Sequence, residues 1–380
     1  MNQQRFVTLL VAALLVVSLG LYMSTRRVAH QESVHGGQLF PALAGELGSV
    51  SSLEILKASP TPTVTLHKKG EDWTVAQRAD YPADVSKIRR LLLSLADAKI
   101  IETKTAEPAN FPLIGLEDPA SATATSTQIA FTVKDGVHSV IVGKSAGEGN
   151  FVRRGGENQS YTVTPGVFVE TEPKAWIDAK LLDIPVAEIQ RIELKAAGGP
   201  NYSLHRLPAP AAPPAAKSGK PEAAAAADAA APKPADATPP PADPGFALDS
   251  VPAGRKAANA ESLAPSSSAF SGLSADDVAQ AAAVDFSKPS TAALTLKDGS
   301  VITITGTVLG DKHWIQFSGV KDASFTAKSA GRAYQLPSYR YDSIFRPLEQ
   351  LLVPKETPPA KPPTGSPQKT NLSAKPLPTP

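Results

Sequence analysis

Ser145 has the best local setting for a nucleophile, because Gly143-Lys-Ser145-Ala-Gly147 fits the G-x-S-x-G pattern. In that pattern a strand turns sharply into a helix and presents the serine hydroxyl beside backbone donors. A β-branched run, Val140-Ile-Val142, precedes the serine, but Glu148-Gly149-Asn150 and then Phe151-Val-Arg-Arg154 follow it. That continuation reads as a loop into another strand, so a glycine-rich hairpin turn is the favoured reading. Nor is Gly143-Lys-Ser145 a phosphate loop, which needs a glycine five residues earlier, where His138 stands. The six histidines (His30, His35, His67, His138, His205 and His313) never fall at a metal-ligand spacing such as H-x-x-x-H. The absence of cysteine removes disulfides, thiolate zinc sites and a cysteine nucleophile. Carboxylates are scattered, and Glu117-Asp118, just before a proline, reads as a solvated turn. Arg89-Arg90 and Arg153-Arg154 read as solvated doublets, and Trp73, Trp176 and Trp314 as core. No catalytic, cofactor-binding or metal-ligating residue is nominated, and no cofactor is expected.

Composition limits how much of the chain can position such groups. With 36 prolines and 6% aromatic residues, 380 residues cannot form one continuous core, so part of the length must be tail and linker. A net charge of +2 gives no global field toward nucleic acid. Residues 208–245 are almost wholly Pro, Ala, Lys and Asp and are predicted to stay extended, as is the Pro-rich tail 353–380. A milder Ala/Ser-rich patch covers 257–268.

At the N-terminus, residues 6–23 carry no charge and consist mainly of Leu, Val and Ala. A helix rising about 1.5 Å per residue crosses a hydrocarbon core of about 30 Å with roughly 17–25 such residues. No small-x-small cleavage pattern follows, so 1–27 is read as an uncleaved, single-pass signal-anchor, with Tyr22 at the interface and Arg26-Arg27 closing it. Arg5 balances that doublet, so loop charge alone does not orient the segment. Long following domains translocate regardless of local charge, which places the body outside the cytoplasm, in the periplasm, on the inner membrane.

Between the low-complexity stretches lies an internal repeat. Ser49-Val-Ser-Ser-Leu-Glu-Ile-Leu-Lys57 leading to Val64-Thr-Leu-His-Lys68 answers to Val186-Ala-Glu-Ile-Gln-Arg-Ile-Glu-Leu-Lys195 leading to Tyr202-Ser-Leu-His-Arg206. Further on, Ile129-Ala-Phe-Thr-Val-Lys-Asp-Gly136 answers to Ala293-Leu-Thr-Leu-Lys-Asp-Gly299, and Ser160-Tyr-Thr-Val163 to Arg332-Ala-Tyr-Gln-Leu336. Two α+β units follow from this order, 45–184 and 185–352, each an antiparallel sheet with packed helices. His67 and His205 become equivalent, which gives them a structural place on a strand. A hairpin turns at Lys69-Gly70 in the first copy; in the second the 208–245 tract occupies that turn, an insertion that loop-closure entropy tolerates. Asp84 caps a helix whose stripe is Val85, Ile88, Leu92 and Leu95, and Phe270, Leu273 and Val278 mark a weaker second-copy counterpart. Asp135-Gly136 and Asp298-Gly299 are further turn signals.

The order of anchor, Trp73, Pro82-Ala-Asp84, Gly115-Leu-Glu-Asp-Pro119, Val142-Gly143-Lys144, Phe151-Val-Arg153 and Tyr161-Thr-Val163 resembles the bacterial domain-of-unknown-function 4340 family, over roughly 45–350. The resemblance implies a membrane-anchored body of repeated α+β units, some relatives being auxiliary to ABC-type export systems of the gliding-motility kind. It carries no catalytic residues. The Pro/Ala insertion and Pro-rich tail depart from that family's compactness. The favoured function is therefore a non-enzymatic envelope accessory or scaffold, anchored through residues 6–23, with protein partners in the envelope such as ABC transporter subunits. The alternative is an extracytoplasmic ligand- or cell-wall-polymer-binding protein, and a serine hydrolase using Ser145 ranks below both.

Overall fold

The computed structural model describes residues 36–208 and 244–354. The apolar run 6–23, His30 and His35, nearly all of the 208–245 tract and the tail beyond 354 lie outside the described residues. Among the described residues no helix is long and apolar enough to cross a membrane.

Period-two alternation dominates the sequence and produces strands with one face on a core, as in the buried-then-open pattern of Thr127–Val133. The first sheet has nine strands. These are β1 (Ser52–Leu56), β2 (Val64–Lys69), β3 (Asp72–Val75), β4 (Tyr81–Pro82), β5 (Lys99–Thr103), β6 (Thr127–Val133), β7 (Gly136–Ala146), β8 (Gly149–Arg154) and β9 (Ser160–Thr164). The second has eight: β10 (Ile189–Lys195), β11 (Tyr202–Arg206), β12 (Phe246–Leu248), β13 (Asp277–Gln280), β14 (Ser290–Leu296), β15 (Val301–Leu309), β16 (Lys312–Ser318) and β17 (Arg332–Leu336). The orders are β4-β3-β2-β1-β6-β7-β8-β9-β5 and β12-β11-β10-β14-β15-β16-β17-β13, with every pairing antiparallel. Apart from β4, the two match strand for strand, giving an α+β fold of two antiparallel sheets.

Register carries the match to single residues. Leu53 pairs with Leu66 and Phe131, as Ile192 pairs with Leu204 and Leu294. Val152 lies between Val142 and Tyr161, as Ile315 lies between Gly306 and Tyr334. The 208–245 tract thus interrupts a hairpin: β11 pairs with β12, and Leu207 N donates to Gly245 O at 3.0 Å. The equivalent first-half hairpin turns at Gly70-Glu71, one residue later than expected, because Lys69 still pairs with Asp72. Likewise Val133 pairs with Gly136, so Lys134-Asp135 make that turn and Gly136 already belongs to β7.

The helices are α1 (Leu43–Glu46), α2 (Val85–Asp97), α3 (Phe111–Ile114), α4 (Ala260–Ser268), α5 (Ala323–Ser329) and α6 (Ser338–Ile344). Asp84 caps α2 by accepting from Ser86 N at 2.9 Å and Lys87 N at 3.2 Å. Ile88, Leu91, Leu92, Leu95 and Ala96 form its buried face. Val85 leaves the expected stripe, at 39% exposure. Helical side chains lean over the preceding turn, and the first helical residue has none beneath it. The second-half helix is not on Phe270, Leu273 and Val278 but on Ala260–Ser268, inside the Ala/Ser-rich patch, capped by Asn259. Pairing with the segment before β10 claims the 270–275 backbone: Ile184 N donates to Phe270 O, and Leu273 N to Leu182 O. Val278 lies in β13.

One continuous apolar cluster runs from Leu39 to Leu352 and joins the inner faces of both sheets. At the seam, Tyr81 and Tyr334 meet edge-on at 5.9 Å, and burial pushes both phenols above their usual range. Arg78 clamps Asp277 through two hydrogen bonds of 2.5 and 3.0 Å, while Arg332 donates to Ala79 O at 3.1 Å. Lys328 reaches Asp178 at 2.7 Å across the same junction.

Candidate functional site

The Ser145 motif is a β-bulge. Val142 pairs with Val152 and Ser145 with Asn150, so one extra residue is inserted in β7 around Gly143-Lys144. The chain then continues into β8 and not into a helix, and Ser145 is exposed on the hairpin. The elbow geometry that would place its hydroxyl beside backbone donors is therefore not formed.

The bulge carries β7 against the loop that contains Gly115-Leu-Glu-Asp-Pro119. A Cβ at Gly143 would stand 2.4 Å from Ile114 O and 2.7 Å from Gly115 O, so only glycine permits this approach. Lys144 Nζ donates to Leu113 O at 3.1 Å, and Arg153 Nε to Leu116 O at 3.2 Å. The Arg153 guanidinium also lies 4.8 Å over the Phe111 ring. Beneath them Phe111, Leu116 and Ile141 form a small apolar cluster, separate from the main core. Val140 and Val142 point to that main core, so the cluster lies on the opposite face of the sheet. Glu117 closes the loop by accepting from Thr125 Oγ1 at 2.7 Å. Burial pushes its carboxyl up, but the hydrogen bonds from Thr125 outweigh this and hold it below the usual range. Asp118 and Arg89-Arg90 are exposed as expected, whereas Glu117 and the Arg153-Arg154 doublet are engaged. Arg153 and Arg154 donate to carbonyls 37 and 115 residues away, and Glu117 accepts from Thr125 eight residues on, none of which a local pattern reveals.

Arg154, on the other face, donates to Leu39 O at 3.0 Å and borders a second feature. A cavity of about 230 Å³ opens between the segment around α1 and the inner face of β6–β8. Leu39, Phe40, Leu43, Phe131 and Val133 line it, with Glu46, His138, Arg154 and Glu157 among its polar neighbours. Phe40 meets Phe131 edge-on at 5.1 Å, and His138 stacks on Phe131 at 5.6 Å. His138 Nε2 also lies 3.3 Å from Asp135. Three separate stretches of chain build this wall, and of its residues the sequence had singled out only His138 and Arg154.

Of the other histidines, His67 and His205 do occupy equivalent strand positions, opposite Ser52 and Arg191. Their surroundings differ. Asp249 accepts from Ser203 Oγ at 2.5 Å, contacts His205 Nδ1 and pairs with Arg191 at 2.6 Å. Burial raises its carboxyl, yet these partners hold it below the usual range. Asp249 is central here, whereas a hydrolytic triad needs the histidine between serine and carboxylate. In the first half Ala76 stands where Asp249 would be, next to Gln77, which hydrogen bonds Thr65. His313 packs on Tyr341 at 5.0 Å, and burial pushes that phenol up to about 12. Trp73, Trp176 and Trp314 are buried, as expected. Among the described residues no group of three or more histidine or carboxylate side chains is placed to hold a metal ion.

Residues 73–295, more than half of the chain, match the model of a family described as Domain of unknown function (DUF4340). No curated protein and no solved structure matches the chain.

Proposed function

The chain belongs to the DUF4340 family, and from that premise we propose that it is a membrane-anchored accessory of the bacterial envelope. In this reading residues 6–23 hold a binding body at the inner membrane, in the periplasm, where it docks on subunits of an ABC-type export system. One observation carries the reading. The residues that mark the family are spent on building the first half: Trp73 is buried, Pro82 ends β4, Asp84 caps α2, and Gly115 and Leu116 pack against the bulge. Those residues build the fold and none of them presents a reacting group, which suits a protein that works by contact. The 208–245 tract, set in a hairpin loop, suits a spacer in the same compartment.

The test is photo-crosslinking in the native host from exposed positions of the full chain, combined with protease treatment of spheroplasts. Capture of transporter subunits by a body digested from outside supports the proposal. A body protected from external protease that captures only cytoplasmic proteins contradicts both the orientation and the role.

A further inference from the structure

The two halves treat one equivalent place in opposite ways. Arg154 of β8 aligns with Phe317 of β16, since Val152 and Ile315 occupy matching pairs two residues before them. Arg154 lies over Tyr161 at 5.6 Å, and Phe317 beside Tyr334 at 5.9 Å, with Tyr161 and Tyr334 also in matching register. In the second half β16 and β17 are joined by a long connection that carries α5. Its Phe325 is buried edge-on against Phe317, with ring centroids 5.3 Å apart. In the first half the β8–β9 connection has no helix. There Arg154, the counterpart of Phe317, borders the open cavity of about 230 Å³ together with Phe40, Phe131 and His138.

We propose that this cavity is a docking pocket for an aromatic side chain presented on a helical turn by a partner protein, in the way that Phe325 is presented by the chain itself. This deepens the accessory reading and rests on it. The chemistry of the occupant follows from the lining. Phe40 and Phe131, packed edge-on, give the cavity an aromatic wall. Glu157 is paired with Arg154 at 3.5 Å, which leaves Glu46 at the cavity to favour a basic residue next to that group on the partner. Among the described residues the β8–β9 connection, unlike β16–β17, supplies no helix to fill the space.

The chain's own filler provides the probe. A peptide of sequence Asp-Ala-Ser-Phe-Thr-Ala-Lys-Ser, copying α5 and its cap, is titrated into the full chain in detergent micelles. Methyl signals of Leu39, Leu43 and Val133 report binding. N-acetyl-phenylalanine amide and the same peptide with alanine for phenylalanine are run beside it. We expect the peptide to shift those methyls and to bind at least tenfold tighter than either control. Ala42→Phe, at the exposed rim of the cavity, abolishes the shift. Phe325→Ala opens a second site for the same peptide in the second half, and if that variant fails to fold, Ala42→Phe still decides. Equal binding of peptide and free amide means a small-molecule site and overturns the proposal, as does a peptide that moves none of the three methyls. Exporter capture from elsewhere on the body, together with a silent cavity, would leave the accessory role standing and remove only this pocket.

Discussion

The first and second halves share a strand plan and differ wherever a strand plan leaves freedom. At the β7–β8 hairpin the first half inserts a bulge and uses it to seat the turn at Ile114 to Leu116, whereas β15 and β16 pair without interruption from Thr303 to Leu309. At the β2–β3 hairpin the first half has a two-residue turn, whereas the second has the 208–245 tract. Beside Arg154 the first half leaves a cavity, whereas at the equivalent Phe317 the second half packs Phe325 of α5. Inner-face register is nearly invariant because a one-residue slip would turn every buried side chain to solvent. Hairpin loops, edges and outer faces carry no such penalty. Function, where two copies of one plan diverge, is to be sought at those freer positions.

Substitutions can test this division directly. The largest effect is expected at Gly149, where a Cβ would lie 1.6 Å from Val163 O. Gly149→Ala should cost about 4 kcal/mol by denaturant unfolding. Lys312, its counterpart opening β16, should tolerate alanine within about 0.5 kcal/mol. Equal losses at the two positions would dissolve the contrast. Phe325→Ala removes a buried ring and should cost about 3 kcal/mol, whereas Phe40→Ala, beside an existing cavity, should cost less. The seam comes next. Asp277→Asn leaves the Arg78 clamp without its charge and should lose about 2 kcal/mol, with the two halves then melting apart by hydrogen exchange.

The smallest effect belongs to Asp249, the charged residue that stands where the first half has Ala76. Asp249→Ala restores the first-half residue Ala76 and should cost under about 1 kcal/mol at neutral pH, because its partner Arg191 is 43% exposed and the pair is screened at the surface. Its carboxyl is held below the usual range when folded, so its contribution is present above the unfolded value of about 3.9 and disappears as pH falls through the folded value. The difference between wild type and variant should therefore shrink below about pH 4 in thermal melts. A difference that grows with acid would contradict the assignment.

What could be read from the sequence follows the same division. Strand repeat, hairpin insertion and the Asp84 cap were legible because each rests on local alternation or a local hydrogen bond. α4 was hidden because Ala-Glu-Ser-Leu-Ala-Pro-Ser-Ser-Ser has no apolar stripe and holds Pro265 within it. The arginine clamps were hidden because their acceptors, Leu116 O and Leu39 O, lie 37 and 115 residues away. Only the folded register brings Phe40, Phe131 and Arg154 to one wall.

The most direct test of the account places a photo-crosslinker at Ala42, on the rim of the open cavity, and separately at Ala327, exposed on α5 over the filled equivalent. Full chains carrying each are expressed in the native host and irradiated. The account predicts that one exporter subunit is captured from Ala42 and not from Ala327. Equal capture from both positions, or capture from Ala327 alone, would contradict it.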